Sequence, residues 1–465
     1  MGTRNSSLKR NIVNVLFANF WVSVISFAGS FIFPRILSIE SYAQYHLFTL
    51  YVSYIAALHL GFPSGMVINY AGKNIETIDK RQLKSEILIT LYILAFFSGL
   101  AAVLAVLLKN KMVMYIALVI LPFCSVSCYR TLLQAWNQFS LYSRLSVIIS
   151  VAIPIIALAI YLVTGNLNGD QYILAYLFVY FSAFAFTCYS CSKYVKGVKA
   201  NPLFTRKNWD TEKTGIAMLA GNYINTLFVS ADKQFVNIFF STTEFAFYSF
   251  GLSLQSLMTI FITSIAQPLF PAMAQGNWKD NDYKKAKEVL FVFGSFSGCA
   301  YFAGAIIIKL FIQKYIESLE VIEIYFMVFP AMAVVNCIYV NLYKITGKIR
   351  LYIQTLIGLL ILAVALNLFM VKAYEHYTGV AIATVVVYYC WLFIGTKQFD
   401  FIKISIKDIA YLCLYTSIYI ICIREINNDY LGVSLYCLSM TILAVAFYGK
   451  NLGAYVKMYK LRGRK

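Results

Sequence analysis

The sharpest chemical feature of this sequence is an adjacent acid and base, Asp232 and Lys233, inside an apolar run that extends over 214–240. A charge at the centre of a lipid bilayer costs about 2.5 to 3.5 kcal/mol even on the mildest scale, so such a pair needs a reason to be there. Successive residues on a helix point about 100° apart. One of the two can therefore turn to a polar cavity while the other meets a partner helix. Two readings follow, a structural ion pair that holds helices together or a site for anion binding or ion coupling. His46, His59 and His376 are the only histidines; His59 lies inside an apolar run, where it is either a hydrogen-bonded structural group or a proton relay. Arg35 and Arg130 stand at the ends of such runs, placed either to snorkel to headgroups or to line a cavity. Asn222, Gln255, Gln267 and Asn336 are polar positions inside apolar runs, available for interhelical hydrogen bonds or for substrate contacts.

Other chemistries are poorly supported. No G-x-x-x-x-G-K-[ST] loop occurs, so ATP is not hydrolysed by that route and energy must come from an ion gradient or from the substrate's own gradient. No H-E-x-x-H, G-x-S-x-G or paired-carboxylate arrangement accompanies the histidines, which speaks against an enzyme. The ten cysteines are scattered through apolar runs. Cys188 and Cys191 form a C-x-x-C without a second ligand pair, and read better as small core residues than as a redox or zinc site. No metal and no cofactor is expected.

The elements that must position these residues follow from composition. The chain has 465 residues, of which 60% are hydrophobic, 17% aromatic and only 13% charged, whereas about a quarter of a soluble domain is charged. Apolar runs of bilayer-crossing length recur over 12–33, 43–69, 87–108, 112–130, 145–163, 171–191, 214–240, 246–271, 289–311, 321–343, 351–371, 379–396, 408–423 and 431–448. Unpaired backbone groups are costly in lipid, so these runs must be helices. The fold class is all-α integral membrane, with about 14 transmembrane helices. Pro63 and Pro268 predict bends in the second and eighth spans. The first run is too long for a signal-peptide core and has no small-residue cleavage pattern behind it, so it reads as a retained helix.

The net charge of +19 is distributed by the helices and does not cluster on a soluble module, so nucleic acid is not an expected partner; membrane lipids are. With the N-terminus inside, 31 of the 39 Lys and Arg residues fall on the cytoplasmic side. Both termini are then cytoplasmic, with the tail Lys457, Lys460, Arg462, Arg464 and Lys465 lying against an anionic leaflet. The basic loop over 193–213 falls between the sixth and seventh spans. It divides an N-terminal lobe over 1–192 from a C-terminal lobe over 214–400, each of six helices, and 401–465 adds two further helices and the tail. A shift of 203 residues sets Asn19 on Asn222, Ser38 on Ser241, Tyr42 on Phe245, Ala43 on Ala246 and Tyr45 on Tyr248. Gly29 and Ser30 then correspond to Asp232 and Lys233. Transporters built from such repeats place the substrate site at the repeat interface.

The chain resembles the Wzx-type polysaccharide-unit flippases, of the superfamily that also holds multidrug/sodium antiporters and lipid II flippases. The resemblance rests on the Asn11-to-Asn19 opening, on Pro34-Arg35-Ile36-Leu37-Ser38 with Glu40 and Tyr42 to Tyr45, and on Gly61-Phe62-Pro63-Ser64-Gly65 ending in Asn69-Tyr70-Ala71. Ser230-Ala231-Asp232-Lys233 with Phe245 to Tyr248, and Gln267-Pro268-Leu269-Phe270-Pro271, carry it to about residue 275. Twelve helices are common in that family, so the last two spans are either an extension or misread. The resemblance implies a V-shaped pair of bundles with a cationic central cavity, alternating between inward-open and outward-open forms. The implied substrate is an undecaprenyl-diphosphate-linked oligosaccharide of the O-antigen type, flipped to the outer leaflet of a bacterial inner membrane. A polysaccharide polymerase and chain-length proteins are the implied partners. A diphosphate crossing a low-dielectric core needs fixed positive charge in place of its water; Lys233 is the first candidate, with Arg35 and Arg130 behind it, and Asp232 is the candidate for coupling to protons or sodium. The alternatives are a drug/cation antiporter on the same fold and a membrane-embedded polysaccharide polymerase, for which the outer loops are short. Reporter fusions after Asn166 and after Asp210 should report opposite sides of the membrane; the same side for both would sink this topology.

Overall fold

The computed structural model describes residues 25, 28–71, 73, 76, 78–276, 278–426 and 428–462, with Ala217 and 450–462 given by backbone alone. Most of the expected first span, the Asn11-to-Asn19 opening and the extreme C-terminal Arg464 and Lys465 lie outside the described residues. Every regular element among those described is helical. The chain forms two compact units, Met1–Ser230 and Ala231–Lys465. The first contains α1 (Ile39–Ile55), α2 (Phe62–Tyr70), α3 (Lys80–Leu107), α4 (Lys111–Ala135), α5 (Phe139–Thr164), α6 (Gly169–Tyr194) and most of α7 (Arg206–Phe239). The second contains the end of α7, then α8 (Thr242–Ala274), α9 (Asp280–Phe296), α10 (Gly298–Phe311), α11 (Ser318–Phe326), α12 (Phe329–Val334), α13 (Val340–Ile345), α14 (Ile349–Tyr374), α15 (Thr378–Gln398), α16 (Ile406–Arg424) and α17 (Asp429–Arg462). Of the stretch 193–213 expected as a loop, only 195–205 lies outside helices, because α7 begins at Arg206.

Ten helices among the described residues, counting α9 with α10 as one, are long and apolar enough to cross a membrane, and two bent pairs raise the number to twelve. The expected count of fourteen is not reached. The span at 12–33 is largely undescribed, and the one at 214–240 falls in α7, which Asn222, Asn225, Asp232, Lys233, Gln234 and Asn237 make too polar to qualify.

The bends have local causes. The second span breaks by 63° where a 3₁₀ turn, Ala56–His59, meets α2. Leu60 and Gly61 are both left-handed there, at φ +53° and +88°, and Pro63 sits in the first turn of α2, where its missing N–H costs nothing. Gly61 is required twice over, since an added Cβ would also stand 2.5 Å from the backbone of Gly215. A Cβ on Gly65 would stand 2.0 Å from the carbonyl oxygen of Thr211. The Gly61-x-x-x-Gly65 spacing thus lets α2 lie backbone to backbone on α7, the close approach that replaces a hydrophobic drive inside a bilayer. The eighth span, by contrast, runs unbroken as α8 through Pro268 and Pro271. Each proline removes the backbone bond to the carbonyl four residues earlier without ending the helix. The second break is instead in the tenth span, where α11 and the segment from Phe329 to Ile345 meet at 52° with Pro330 in the first turn beyond. A single π-helical turn, Val335–Tyr339, follows it.

The two caps aligned by the 203-residue shift have the same geometry. Ser38 opens α1 at φ −65°, ψ 162° and accepts from the Ser41 N–H; Ser241 opens α8 at φ −69°, ψ 160° and accepts from the Glu244 N–H. Each accepts a bond that would otherwise be an orphan donor in lipid or headgroup. Tyr42 and Ala43 are buried behind the first cap, Phe245 and Ala246 behind the second. Burial separates the helices by role: α4 and the 321–343 stretch bury most of their side chains, whereas α3 and α5 turn Phe96, Leu107, Leu162 and Val163 outward, as helices facing lipid do. If the α2–α7 contact is as close as the glycines imply, Gly65→Ala should lower the melting temperature of detergent-purified protein by several degrees. Gly99→Ala on α3, where the added methyl meets nothing within 4 Å, should leave it level or raise it. Equal melting temperatures for the two variants would contradict that reading.

Candidate functional site

Asp232 lies in the penultimate turns of α7 and is buried, with 5% of its surface exposed. Its carboxylate is held from three sides. The Tyr325 hydroxyl on α11 donates to Oδ2, the Tyr248 hydroxyl on α8 donates to the same oxygen at 3.3 Å, and the Lys233 backbone N–H donates to Oδ1 at 2.6 Å. The two phenol oxygens are themselves 2.8 Å apart, and both tyrosines are fully buried. Lys233 is half-buried, with its ammonium 5.7 Å from the centroid of the Phe245 ring. A carboxylate ringed by hydroxyls that can rotate between donor and acceptor suits a group that gains and loses a proton or a small cation, because the same phenols can serve either state.

Arg35, Arg130, Asn222 and His59 lie in the first unit, and Gln255, Gln267 and Asn336 in the second. Arg35 is exposed, one residue before the end of the helical stretch that finishes at Ile36. Arg130 is half-buried near the end of α4, its guanidinium 5.4 Å over the Tyr142 ring. Asn222 is exposed on α7, and its backbone carbonyl accepts from the Thr226 hydroxyl. His59 stands at the break between the 3₁₀ turn and α2, where Nδ1 accepts from the Gly61 N–H at 3.0 Å. That bond fixes the left-handed turn, so only Nε2 is left for any relay. Gln255 is half-buried, Gln267 is exposed, and Asn336 donates to the Met332 carbonyl at 3.0 Å.

Sequence reading missed three polar clusters. In the first unit, Glu86 on α3 is fully buried and accepts from the Tyr70 hydroxyl at 2.5 Å, from Gln82 at 2.9 Å and from the Thr211 hydroxyl at 3.4 Å. A cavity of about 590 Å³ reaches this group, with Lys73, Lys207, Asp79 and Asp210 around it. At the other end of that unit Asp170 gathers Lys111, Gln44 and the Tyr115 hydroxyl. In the second unit Lys287 on α9 pairs with Asp408 on α16 at 2.5 Å, both almost without exposure, while Tyr448 of α17 donates to the same carboxylate at 2.8 Å. Lys287 also donates to the Lys403 carbonyl at 2.7 Å. The signal in each case was a polar residue at a helix end, which the charge pattern had absorbed as topology. Among the described residues no group of three His, Cys, Asp or Glu is placed to hold a metal ion.

Since a buried charge stripped of its partner is worse than none, Lys287→Met or Asp408→Leu alone should each lower unfolding stability by about 3 to 5 kcal/mol, and the double change by less than either. Strictly additive losses in a double-mutant cycle would show that the pair carries no such coupling.

A family model described as polysaccharide biosynthesis protein matches residues 8–277. Among solved structures, the chain is similar to the lipid II flippase MurJ in an inward closed conformation, with TM-score 0.73 and 15% identity over 95% of this chain and 100% of that one. It is also similar to an outward-facing multidrug resistance MATE family transporter of the MOP superfamily, with TM-score 0.57 and 14% identity over 88% of this chain and 97% of that one. No curated protein matches it. At such identities the likeness is one of fold. It also bears on the last two helices, because the first comparison leaves too little of the chain over for both α16 and α17 to be additions to the shared architecture. Matched over more than half its length by that model, this multi-pass helical chain belongs to the polysaccharide biosynthesis protein family.

Proposed function

We propose that this protein is a flippase that moves undecaprenyl-diphosphate-linked oligosaccharide repeat units from the cytoplasmic to the outer leaflet of a bacterial inner membrane by alternating access. The observation that carries the reading is a polysaccharide-biosynthesis family assignment on a fold shared with a flippase of another lipid-linked saccharide. The protein moves its substrate without making or breaking a covalent bond in it, and a polysaccharide polymerase and chain-length proteins take the product. Lys233 supplies fixed positive charge for the diphosphate, which cannot leave water without a replacement for it. Arg35, Arg130 and Asn222 offer further polar contacts along the path. Asp232 couples transport to a proton or sodium gradient. Two of its three hydrogen bonds tie α7 to α8 and α11, so loading or unloading an ion there changes the bonds that set the positions of those helices. His59, with one ring nitrogen committed to the Gly61 turn, is the weaker relay.

A drug/cation antiporter is the second reading, favoured by the fold shared with the multidrug transporter; it calls for negative charge along the path and gives Lys233 no task. In a host whose own flippase gene is deleted, the wild-type protein should restore surface polysaccharide, Lys233→Arg should restore part of it because the charge persists, and Lys233→Ala none. Full polysaccharide with Lys233→Ala at normal protein level would remove Lys233 from the mechanism. Asp232→Asn in vesicles should lose dependence on an imposed gradient. Unchanged dependence would leave only the structural role, in which neutralising Asp232 and Lys233 together is milder than neutralising either alone.

A further inference from the structure

A second cavity, also of about 590 Å³, opens between α11, α15 and α16 in the second unit. Its mouth is charged. Glu320 lies in the first turn of α11, Glu323 one turn on, and Arg424 ends α16. Its wall is apolar: Ile382, Val385 and Val386 of α15 line it. Val386 is eight residues into α15, about 12 Å from its start at 1.5 Å per residue. A polar rim beside an open-sided apolar wall of about that length, with Val386 itself exposed, suits a lipid headgroup and chain better than a soluble metabolite.

The charges say which lipid. Arg424 Nε donates to Glu323 Oε1 at 2.8 Å, yet its side chain is 65% exposed, and its two terminal nitrogens remain available for a phosphate. Glu320 is exposed and lies beside the same opening. Two carboxylates against one guanidinium leave the mouth net negative, so it disfavours a phosphate that brings no cation of its own, and a diphosphate more so. A headgroup carrying both a phosphate and an ammonium meets Arg424 with the first and Glu320 with the second. A primary ammonium has three N–H donors for the carboxylate, whereas a quaternary one has none.

We propose that this cavity is a binding site for a phospholipid with a primary ammonium headgroup, phosphatidylethanolamine being the probe that fits. By the positive-inside assignment the site opens at the outer leaflet. It stands independently of which substrate the protein carries. Its consequence lies in α11, which presents Glu320, Glu323 and Ile324 to the lipid and, one residue on, Tyr325 to Asp232. A lipid wedged against α11 steadies the helix that delivers that phenol.

The test is native mass spectrometry of delipidated full-length protein titrated in parallel with phosphatidylethanolamine, phosphatidylglycerol and phosphatidylcholine of matched chains. Wild type should retain the ethanolamine lipid over the other two by about tenfold, a difference of about 1.4 kcal/mol. Glu320→Gln should narrow its lead over phosphatidylglycerol, Arg424→Gln should weaken all three, and Val386→Trp, which crowds the apolar wall and leaves the charges in place, should remove the preference. Since Arg424→Gln also breaks a protein contact, Glu320→Gln and Val386→Trp carry the decision. Equal retention of the three lipids by wild type, an unchanged lead over phosphatidylglycerol in Glu320→Gln, or a preference that survives Val386→Trp overturns the proposal.

Discussion

A carboxylate buried inside the protein has no water to turn to, and the arrangement around Asp232 is a response to that fact. Three donors from α7, α8 and α11 converge on it. Two of them are tyrosines whose rings are fully buried, so the polar tips are spent on one another and on the acid, and the rings fill the space between the helices. Remove the acid and two buried phenols lose their acceptor; remove a phenol and the acid loses part of its solvation. The cluster is therefore a joint as well as a site. The break between α11 and α12 falls immediately after Tyr325, so the helix that delivers a donor is also one that is already interrupted.

Three other carboxylates are managed differently, by ion pairs at helix ends. Lys111 meets Asp170, Lys309 meets Asp429 at 2.7 Å, and Arg424 meets Glu323. All three lie at ends that the charge pattern assigns to the outer side, and the basic partner in each belongs to the sparse set of outer Lys and Arg. Lys287 and Asp408, at the opposite end of the second unit, are the exception in being almost wholly buried. A residue that reads as a topology signal can also be a tertiary contact, because a long cationic side chain at a helix end finds both headgroups and neighbouring carboxylates within reach.

How much of this was legible follows from the kind of pattern involved. Span positions and helix type were readable because lipid allows a long apolar run only one conformation. Asp232 was readable because a lone acid in such a run is costly. Tyr248 and Tyr325 were not, since nothing local separates them from the other tyrosines in this chain, and the contact to Tyr325 spans 93 residues. Glu86 was hidden by the basic stretch beside it, and its partner Thr211, with the Asn208 that accepts from Gln82, by the expectation of a loop where α7 had already begun. Pro63 marked a real break, whereas the helix continues through Pro268. A proline bends a helix according to what the preceding turn must give up, and the left-handed pair Leu60 and Gly61 supplied at one site what nothing required at the other.

The two openings of the repeat show how a site arises from a scaffold. Ser38 and Ser241 cap their helices with the same geometry, and the residues one turn later are buried alike. Tyr45 and Tyr248 occupy equivalent positions under that alignment, but they do different things. Tyr45 packs its ring on Tyr172 with centroids 4.1 Å apart, whereas Tyr248 faces Tyr325 at 6.0 Å and turns its hydroxyl to Asp232. The corresponding positions in the first half are Gly29 and Ser30, with no acid to hold. A tyrosine already placed beside the opening helix therefore needs only an acid on that helix to become a ligand, and the second half has one. The polar site sits where the repeat departs from itself, because the fold tolerates either occupant at that position and only the charged one demands partners.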